Sequence, residues 1–456
     1  MSIAYCQLFL LTLETQILSM FDKLFGRSKR PAITPAIPFG RYSDNNKSVE
    51  KTNRWTDADN LYKEKKYQQS IDAFFDYLRD EVADNVILER SGDKFNFRIF
   101  QGSKIVRGNG DAEHLQAEVS LAKMPQPSVP VMRRLLEQNF SLYYSRYSLD
   151  GDRLCMRFDT DIDTANPNKL YYALKELATK ADKQDDLLVQ DFSALQSLDT
   201  EHIVDIPETE KETKFAFMHK WISDTLQYIQ TLDAEKFSGG IAYLLLTLAF
   251  RIDYLVCPEG SLQAELEKIP VLYFTKDEKP ATEKNEAMIA AFKKLQDKPK
   301  EDFFKHLFRS KSSFAIVAPQ NQKTIADAIN AANNNMIWYR DNSYPYIGQQ
   351  ICEYGISYCQ YSYSMPRPMS ELFLLMMKVN YPDYFTSLGF TEPYYDSTKN
   401  KFADDDIIEK IISIQNDWKQ KYPKLDFKTQ NLKFDSLLNF NHSFTNELEI
   451  LNFDSK

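Results

Sequence analysis

Three aspartates alternate in the run DTDID, the arrangement in this sequence that comes nearest to a metal-binding motif. Asp159, Asp161 and Asp163 offer oxygen ligands of the kind that calcium prefers. A calcium-binding EF-hand loop also needs glycine at its sixth position and glutamate at its twelfth, where this chain has Thr164 and Leu170. The mismatch favours solvated carboxylates at the end of a strand over a metal site.

Histidine and cysteine, which often serve catalysis and metal binding, are few and scattered. The five histidines show neither the HxxxH nor the HxH spacing that presents paired ligands. Cys352 and Cys359 would share one helix face, but zinc and redox sites usually use CxxC, so we interpret both as small buried side chains. The sequence has no GxSxG elbow and no glycine-rich phosphate loop. We predict no catalytic residue, metal or cofactor, although one sequence leaves open a site assembled from distant residues.

Tyrosine is concentrated in residues 339–368, the most unusual composition in the chain. Six of its tyrosines are our candidates for a protein-binding surface: Tyr344, Tyr346, Tyr354, Tyr358, Tyr361 and Tyr363. Tyrosine is favoured at interfaces because it buries a large apolar area and keeps a hydrogen-bonding hydroxyl. The alternative is a helix whose Tyr354, Tyr358 and Tyr361 simply line the domain core. Both interpretations stay open.

The elements in the first half of the chain predict an α+β domain. Apolar residues recur at helical spacing over 55–80 on both sides of a polar KEKK break, which indicates a helical hairpin. Alternating runs then predict a meander of three or four strands, with candidates at 86–90, 94–100 and 118–124. Asp150-Gly151 indicates the turn of a β-hairpin, and Asn166-Pro167 the start of an amphipathic helix.

Part of this domain resembles a known family. In residues 132–188 a helix ends in a Leu-Leu-x-x-Asn phrase, a hairpin follows, and a second helix ends in an Ala-Asp phrase. The phrases are Leu135, Leu136 and Asn139, then Ala181 and Asp182. This pattern resembles the type III secretion chaperone-like (YbjN-like) domains. The resemblance implies helices packed on an antiparallel sheet in a domain that dimerises and binds other proteins, and it brings no catalytic residues. The rest of the chain resembles no family that we recognise.

The second half is predicted to be mainly helical, with helices near 213–231, 239–257, 261–269, 283–296, 301–308 and 404–421. Residues 269–274 and 312–319 are candidates for two buried strands, and the residues after the last helix are expected to pack irregularly or form a mobile tail. We therefore expect an α+β fold, in which an N-terminal antiparallel sheet with packed helices precedes a mainly α-helical C-terminal domain. The expected divisions are an extension and linker at 1–54, the α+β domain at 55–197 and the helical domain at 198–456.

Charge and cysteine content indicate which partners the protein can bind and in which compartment it works. Lys and Arg number 56 against 65 Asp and Glu, and the net charge of −9 disfavours a general affinity for nucleic acid or anionic lipid. Five scattered cysteines indicate reduced thiols and a cytoplasmic protein. The apolar start of the chain has no basic residue before Lys23 and contains Glu14, so it predicts neither a signal peptide nor stable membrane insertion. Translation starts either at Met1 or at Met20.

These observations together predict a non-enzymatic cytoplasmic chaperone or adaptor that binds another protein or its own copy. Two alternatives stay open. One is an enzyme whose site lies in the C-terminal domain near the tyrosine-rich segment. The other is a structural subunit that is stable only within a larger assembly.

Overall fold

The computed structural model describes residues 35–43, 47–80, 82–199, 202–315, 320–391 and 393–454. The predictions about the apolar start of the chain and the alternative start at Met20 lie outside the described residues. Most of the predicted extension and linker, residues 1–54, also lies outside the described residues.

Regular structure begins with the predicted helical hairpin, made of α1 (Val49–Lys63) and α2 (Tyr67–Leu78). The Ser48 side chain caps α1 by accepting the backbone N–H of Lys51 at 3.3 Å. The polar break reverses the chain, and Lys65 within it adopts a left-handed φ of +60°. The two helices pack against each other and bury Phe74 and Phe75 of α2.

A seven-stranded antiparallel sheet follows. Its strands are β1 (Val86–Ser91), β2 (Lys94–Gln101), β3 (Lys104–Gly110), β4 (His114–Lys123), β5 (Arg146–Asp150), β6 (Arg153–Asp161) and β7 (Gln196–Ser197). They lie in the order β1-β2-β3-β4-β6-β5, and β7 pairs with β4. The first four strands form the predicted meander, and Gly151, with a φ of +61°, makes the predicted turn from β5 into β6. The path through the sheet ends at β1 and β5, which are its edge strands.

Helices cover one face of this sheet. α3 (Val129–Asn139) precedes β5, and α4 (Pro167–Asp191) follows β6. α4 begins where it was predicted, because the Asn166 side chain accepts the backbone N–H of Lys169 at 2.9 Å. The buried side of β2 carries Phe95 and Phe97, and alternate residues on the other side are exposed. The N-terminal half is therefore an antiparallel sheet with packed helices, as predicted.

The C-terminal half is mainly helical, as predicted. Its helices are α5 (Glu208–Ile229), α6 (Ser238–Val256), α7 (Gly260–Phe274), α8 (Ala281–Gln296), α9 (Lys300–Phe304), α10 (Gln322–Asp341), α11 (Pro345–Ser362), α12 (Arg367–Asn380), α13 (Pro382–Ser387), α14 (Asp404–Trp418) and α15 (Leu437–Glu449). Two short strand pairs join them: β8 (Val204–Asp205) with β9 (Phe308–Arg309), and β10 (Tyr395–Asp396) with β11 (Lys401–Phe402). Within the described ranges, α6 alone is long and apolar enough to cross a membrane, and its residues are almost all buried in the helical core.

Both strand predictions in this half were wrong where the structure describes them. Residues 269–274 form the end of α7, and Val271 and Phe274 stay 59% and 47% exposed, as a helix face permits. A short apolar run does not distinguish a strand from a helix segment. Residues 312–315 form no strand although Phe314 is buried, and 316–319 lie outside the described residues.

The end of the chain was also predicted wrongly, because it is an ordered helix. In α15, Phe440, Phe444 and Leu448 recur every four residues and are buried in the helical core. The abundance of Asn and Asp concealed this periodicity. Polar residues of α15 are buried too: Thr445 donates to the side chain of Asn333 on α10 at 2.8 Å.

Buried residues form two hydrophobic clusters. One lies between the sheet and α1–α4, and the other lies inside the C-terminal helices. Phe314 belongs to the first cluster although it follows α9, and its ring lies 5.5 Å from that of Tyr171 on α4. The neighbouring Ser313 hydroxyl donates to the carbonyls of Asn85 and Phe100 at 3.2 and 3.1 Å. The chain thus returns to the sheet, and the boundary between residues 197 and 198 stays a prediction.

Residues 35–43 of the predicted linker are extended and lie along the C-terminal helices, whereas its last residues belong to α1. We call residues 35–43 the strap. Phe39 packs its ring 5.3 Å from Phe385 at the end of α13. Gly40 donates its backbone N–H to the carbonyl of Tyr254 on α6 at 2.9 Å.

Candidate functional site

Exposed large apolar side chains are concentrated around α3. The group, which we call the apolar strip, consists of Val129, Leu136, Phe140, Tyr143, Tyr144, Leu149 and Tyr172. Phe140 is 95% exposed and Tyr143 is 92% exposed. Single exposed apolar residues are normal on any protein, whereas a group of them marks an interaction surface.

Helix α3 is apolar on two faces, which explains the exposure. Its inner face buries Val131 and Leu135 against the sheet domain. Val129, Leu136 and Phe140 follow at intervals of seven and four residues and therefore share the outer face. The inner face is the one that packs in the domain core. The apolar residues on the outer face are not needed for that packing, so their presence needs another explanation.

Glu176 on α4 holds the loop that carries the exposed tyrosines. Its carboxylate accepts the backbone N–H groups of Tyr143, Tyr144 and Ser145 at 2.8, 2.9 and 2.8 Å, and the Ser145 hydroxyl at 2.7 Å. Partial burial raises the pKa of Glu176, but these hydrogen bonds outweigh it and leave the pKa below its ordinary value. Tyr172 lies one turn earlier on α4. The loop is thus fixed to α4 by a charged anchor.

Asn139 fixes the other end of the strip. Its side chain accepts the backbone N–H of Tyr147 at 2.8 Å, at the start of edge strand β5. Asn139 ends the Leu-Leu-x-x-Asn phrase, in which Leu135 is buried and Leu136 is exposed. Because a side chain already occupies this donor of the edge strand, β5 is a poor template for pairing with a further strand.

The predicted tyrosine surface divides into two groups, one at each end of α11. Tyr344 and Tyr346 lie at its start, each with its ring 4.7 Å from an aromatic ring, of Phe237 and of Tyr228 respectively. All six candidates are half-buried and pack against the C-terminal cluster: Tyr344, Tyr346, Tyr354, Tyr358, Tyr361 and Tyr363. They contribute to the packing of the helical core, and their role in binding stays a prediction.

The second group forms an aromatic patch together with α7. Tyr354 and Tyr358 stack with ring centres 5.7 Å apart, and Tyr354 and Tyr361 contact Phe250 of α6. Phe274, which is about half exposed, lies 6.0 Å from Tyr358. We use the name aromatic patch for Tyr354, Tyr358, Tyr361, Tyr363 and Phe274.

A cleft of about 1020 Å³ is lined by residues of α4, α7 and the strap. Charged side chains along it pair with one another: Arg41 with Asp253, Lys183 with Glu267, and Arg309 with Glu210. Asp182 of the Ala-Asp phrase also faces this cleft and accepts the Ser103 backbone N–H at 2.7 Å. Its contacts fasten α4 to the sheet, which gives Asp182 a structural role.

The remaining candidates from the sequence lie apart from these surfaces. Asp159 and Asp161 are exposed on β6, where Asp159 pairs with Arg146 and Asp161 with His114. In the part of the chain that the structure describes, no three His, Cys, Asp or Glu side chains converge as metal ligands would. Cys352 and Cys359 are fully buried on α11, as predicted, and burial raises the pKa of both thiols to about 12.

The apolar strip was not predicted from the sequence, although one pair of residues in α3 carried a signal of it. Leu135 and Leu136 are adjacent, and neighbouring positions on a helix point about 100° apart. A helix that packs on one side only can leave one of two such residues exposed, and in α3 this is Leu136.

No protein-family model matches the chain, and no curated protein sequence is significantly similar to it. The resemblance to secretion-chaperone-like domains therefore stays a prediction.

Proposed function

We propose that this chain is a non-enzymatic, cytoplasmic chaperone or adaptor that binds another protein through the apolar strip. The observation that supports the proposal most is the near-complete exposure of Phe140, at the end of α3, and of Tyr143, on the loop that Glu176 holds in place. Burying an apolar side chain of this size contributes roughly 1.5–3 kcal/mol. A fixed loop also loses little conformational entropy on binding, so more of this energy becomes affinity.

The strip favours a partner segment that presents apolar side chains, such as one face of an amphipathic helix. Leu136 and Phe140 project from α3 as anchors at helical spacing, which suits packing of helix against helix. Main-chain pairing contributes less, because Asn139 already occupies a donor on β5. A second copy of the chain is the other occupant that this chemistry allows.

A photo-crosslinking experiment tests the proposal. The full chain, carrying a photoreactive phenylalanine in place of Phe140, is illuminated in its native cytosol, and the crosslinked product is identified by mass. The matched control places the same group at Ile412, which is 44% exposed on α14. We expect a stoichiometric protein adduct at position 140 that is absent at 412 and abolished by Leu136→Ser. Equal crosslinking at both positions, or none at 140, would contradict the proposal.

Two rival proposals differ in what the same samples would show. An enzyme with its site near the aromatic patch would give no protein adduct at position 140. A structural subunit would be poorly soluble when expressed alone and would become soluble with its assembly. An adduct of twice the chain mass would identify the occupant as a second copy.

A further inference from the structure

The strap lies in a groove on the helical core that recognises successive side chains. Phe39 packs between Phe385 and Phe390, with ring centres 5.3 and 6.1 Å away. Ser43 is buried, and its hydroxyl lies 2.8 Å from that of Ser364. The middle and the C-terminal end of the strap are therefore held by side-chain contacts with residues far away in the sequence.

Gly40 passes through the narrowest point of this groove. Its φ is +72°, and a Cβ atom at this position would lie 2.6 Å from the ring of Tyr254. Other residues are excluded both by backbone strain and by this contact. The groove therefore requires glycine at this position.

The groove is most selective for the side chain at the position of Arg41. Its guanidinium Nε lies 3.2 and 3.3 Å from the two carboxylate oxygens of Asp253, and a terminal nitrogen also bonds Asp253. Burial lowers the pKa of Arg41, but Asp253 more than compensates and the pKa lies above its ordinary value. Glu267 adds a second carboxylate at 3.7 Å. A planar guanidinium matches this pair of oxygens in a way that the ammonium group of lysine cannot.

The Arg41 position can be reached from outside. The Arg41 side chain is 23% exposed and Glu267 is 26% exposed. Both line the cleft of about 1020 Å³ between α4 and α7. A competing guanidinium can thus approach Asp253 through the cleft without first unfolding the helical core.

We propose that the groove between the end of α6 and α13 is a docking site for an extended aromatic–Gly–Arg segment of a partner protein, and that the strap occupies it as a built-in competitor. Groove and strap are complementary at three successive residues, Phe39, Gly40 and Arg41, and these three requirements amount to a recognition sequence. Since the strap is tethered, it competes at an effective concentration on the order of 1 mM. This surface is separate from the apolar strip, so the inference does not depend on the proposed function.

A peptide titration tests the inference. A fluorescent peptide of residues 35–43, PAIPFGRYS, is titrated with the full chain carrying Phe39→Ala and Arg41→Ala, and binding is followed by anisotropy. We expect saturable one-to-one binding that is at least tenfold tighter than to the wild type, whose own strap competes. Adding Asp253→Asn to the variant should weaken binding at least tenfold. The matched control peptide, with alanine in place of Gly40, should not bind.

The unaltered protein provides a second measurement that does not depend on the folding of a variant. Hydrogen exchange at the Gly40 amide, which donates to Tyr254, is compared with and without excess unlabelled peptide. We expect at least tenfold faster exchange when the peptide displaces the strap. Unchanged exchange at high peptide concentration, or equal peptide binding by the Asp253→Asn chain, would overturn the inference. Exchange that also speeds up with the alanine control peptide would overturn it too.

Discussion

The Asp182 carboxyl on α4 accepts the backbone N–H of Ser103 at 2.7 Å and its hydroxyl at 3.2 Å, and this fastens the helix to the turn between β2 and β3. Gly102 makes the close approach possible, because its φ is +56° and a Cβ atom there would lie 1.9 Å from the carboxyl. Burial, followed by the neighbouring carboxylate of Glu259, raises the pKa of Asp182 to about 8. Asp185, which pairs with Lys104, also raises the pKa of Asp182.

This pKa makes the stability of the fold depend on pH. Between the ordinary value of 3.8 and about 8, folded Asp182 keeps a proton that the unfolded chain releases. Raising the pH through this window therefore lowers the free energy of unfolding, by at most ~1.4 kcal/mol per pH unit. The Asp182→Asn variant lacks this ionisation and should gain stability relative to wild type as the pH rises from 5 to about 8. Urea unfolding at several pH values measures this, and parallel curves for the two proteins would contradict it.

Removing the anchor of the tyrosine loop should loosen that loop specifically. Glu176→Gln replaces one acceptor oxygen with an amide donor. Tyr143 bonds one carboxylate oxygen while Tyr144 and Ser145 bond the other, so the new donor faces at least one backbone N–H group. We expect a loss of about 1–3 kcal/mol in the free energy of unfolding. Hydrogen exchange at these amides should become faster. Glu137→Gln is the matched control, since Glu137 is an exposed residue of α3 paired with Arg133; similar exchange in both variants would show that Glu176 is no anchor.

A buried ion pair inside the helical core gives a third prediction. Arg251 on α6 and Glu353 on α11 pair at 2.9 Å with both side chains almost fully buried, and Tyr381 donates its hydroxyl to Glu353. Glu353→Ala leaves a buried guanidinium without its carboxylate and should cost roughly 3–5 kcal/mol.

The double variant Arg251→Met with Glu353→Leu should lose much less stability than Glu353→Ala alone, because no buried charge remains. Chemical denaturation measures both changes. The exposed pair of Lys323 and Asp327 is the control, and Lys323→Ala should change the free energy of unfolding by about 1 kcal/mol or less. A small loss for Glu353→Ala would mean that water reaches Arg251.

Substitutions in the aromatic patch should distinguish residues that stabilise the core from residues that are exposed to solvent. Tyr361 contacts Phe250 with ring centres 4.7 Å apart, so Tyr361→Ala should cost about 2–4 kcal/mol. Phe274 is 47% exposed, so Phe274→Ser should cost about 1 kcal/mol or less. Thermal unfolding compares them. If Phe274→Ser proves as costly as Tyr361→Ala, the patch is core alone and offers no surface to a partner.

Local signals predicted the elements whose ends depend on a few neighbouring residues. Asn166 and Pro167 start α4 because the cap and the first-turn proline act within one turn. Asp150 and Gly151 turn the hairpin because glycine adopts the left-handed conformation that the turn needs. Such signals depend only on residues of the segment itself, so they can be read without knowing the rest of the fold.

The predictions that failed depended on distant contacts. The end of the chain is ordered because α15 packs against α10 and α11, to which its buried phenylalanines contribute. The exposure of Phe140 likewise depends on which face of α3 the sheet covers. Of the candidate sites, the sequence singled out the tyrosines in and beside α11 but not the apolar strip or the groove around Arg41. The groove is formed by segments far apart in the chain.

The place of Phe314 has a consequence for how the protein is made. On the ribosome, the sheet and α1–α4 emerge first, but the ring that completes their core arrives only after α5–α9 have been synthesised. A nascent chain that ended at residue 197 would contain a phenylalanine-sized cavity, at a cost of about 3–5 kcal/mol. Proteins synthesised in this order expose an unfinished core during translation. The N-terminal half therefore reaches full stability only late in translation, well after its own strands have left the exit tunnel.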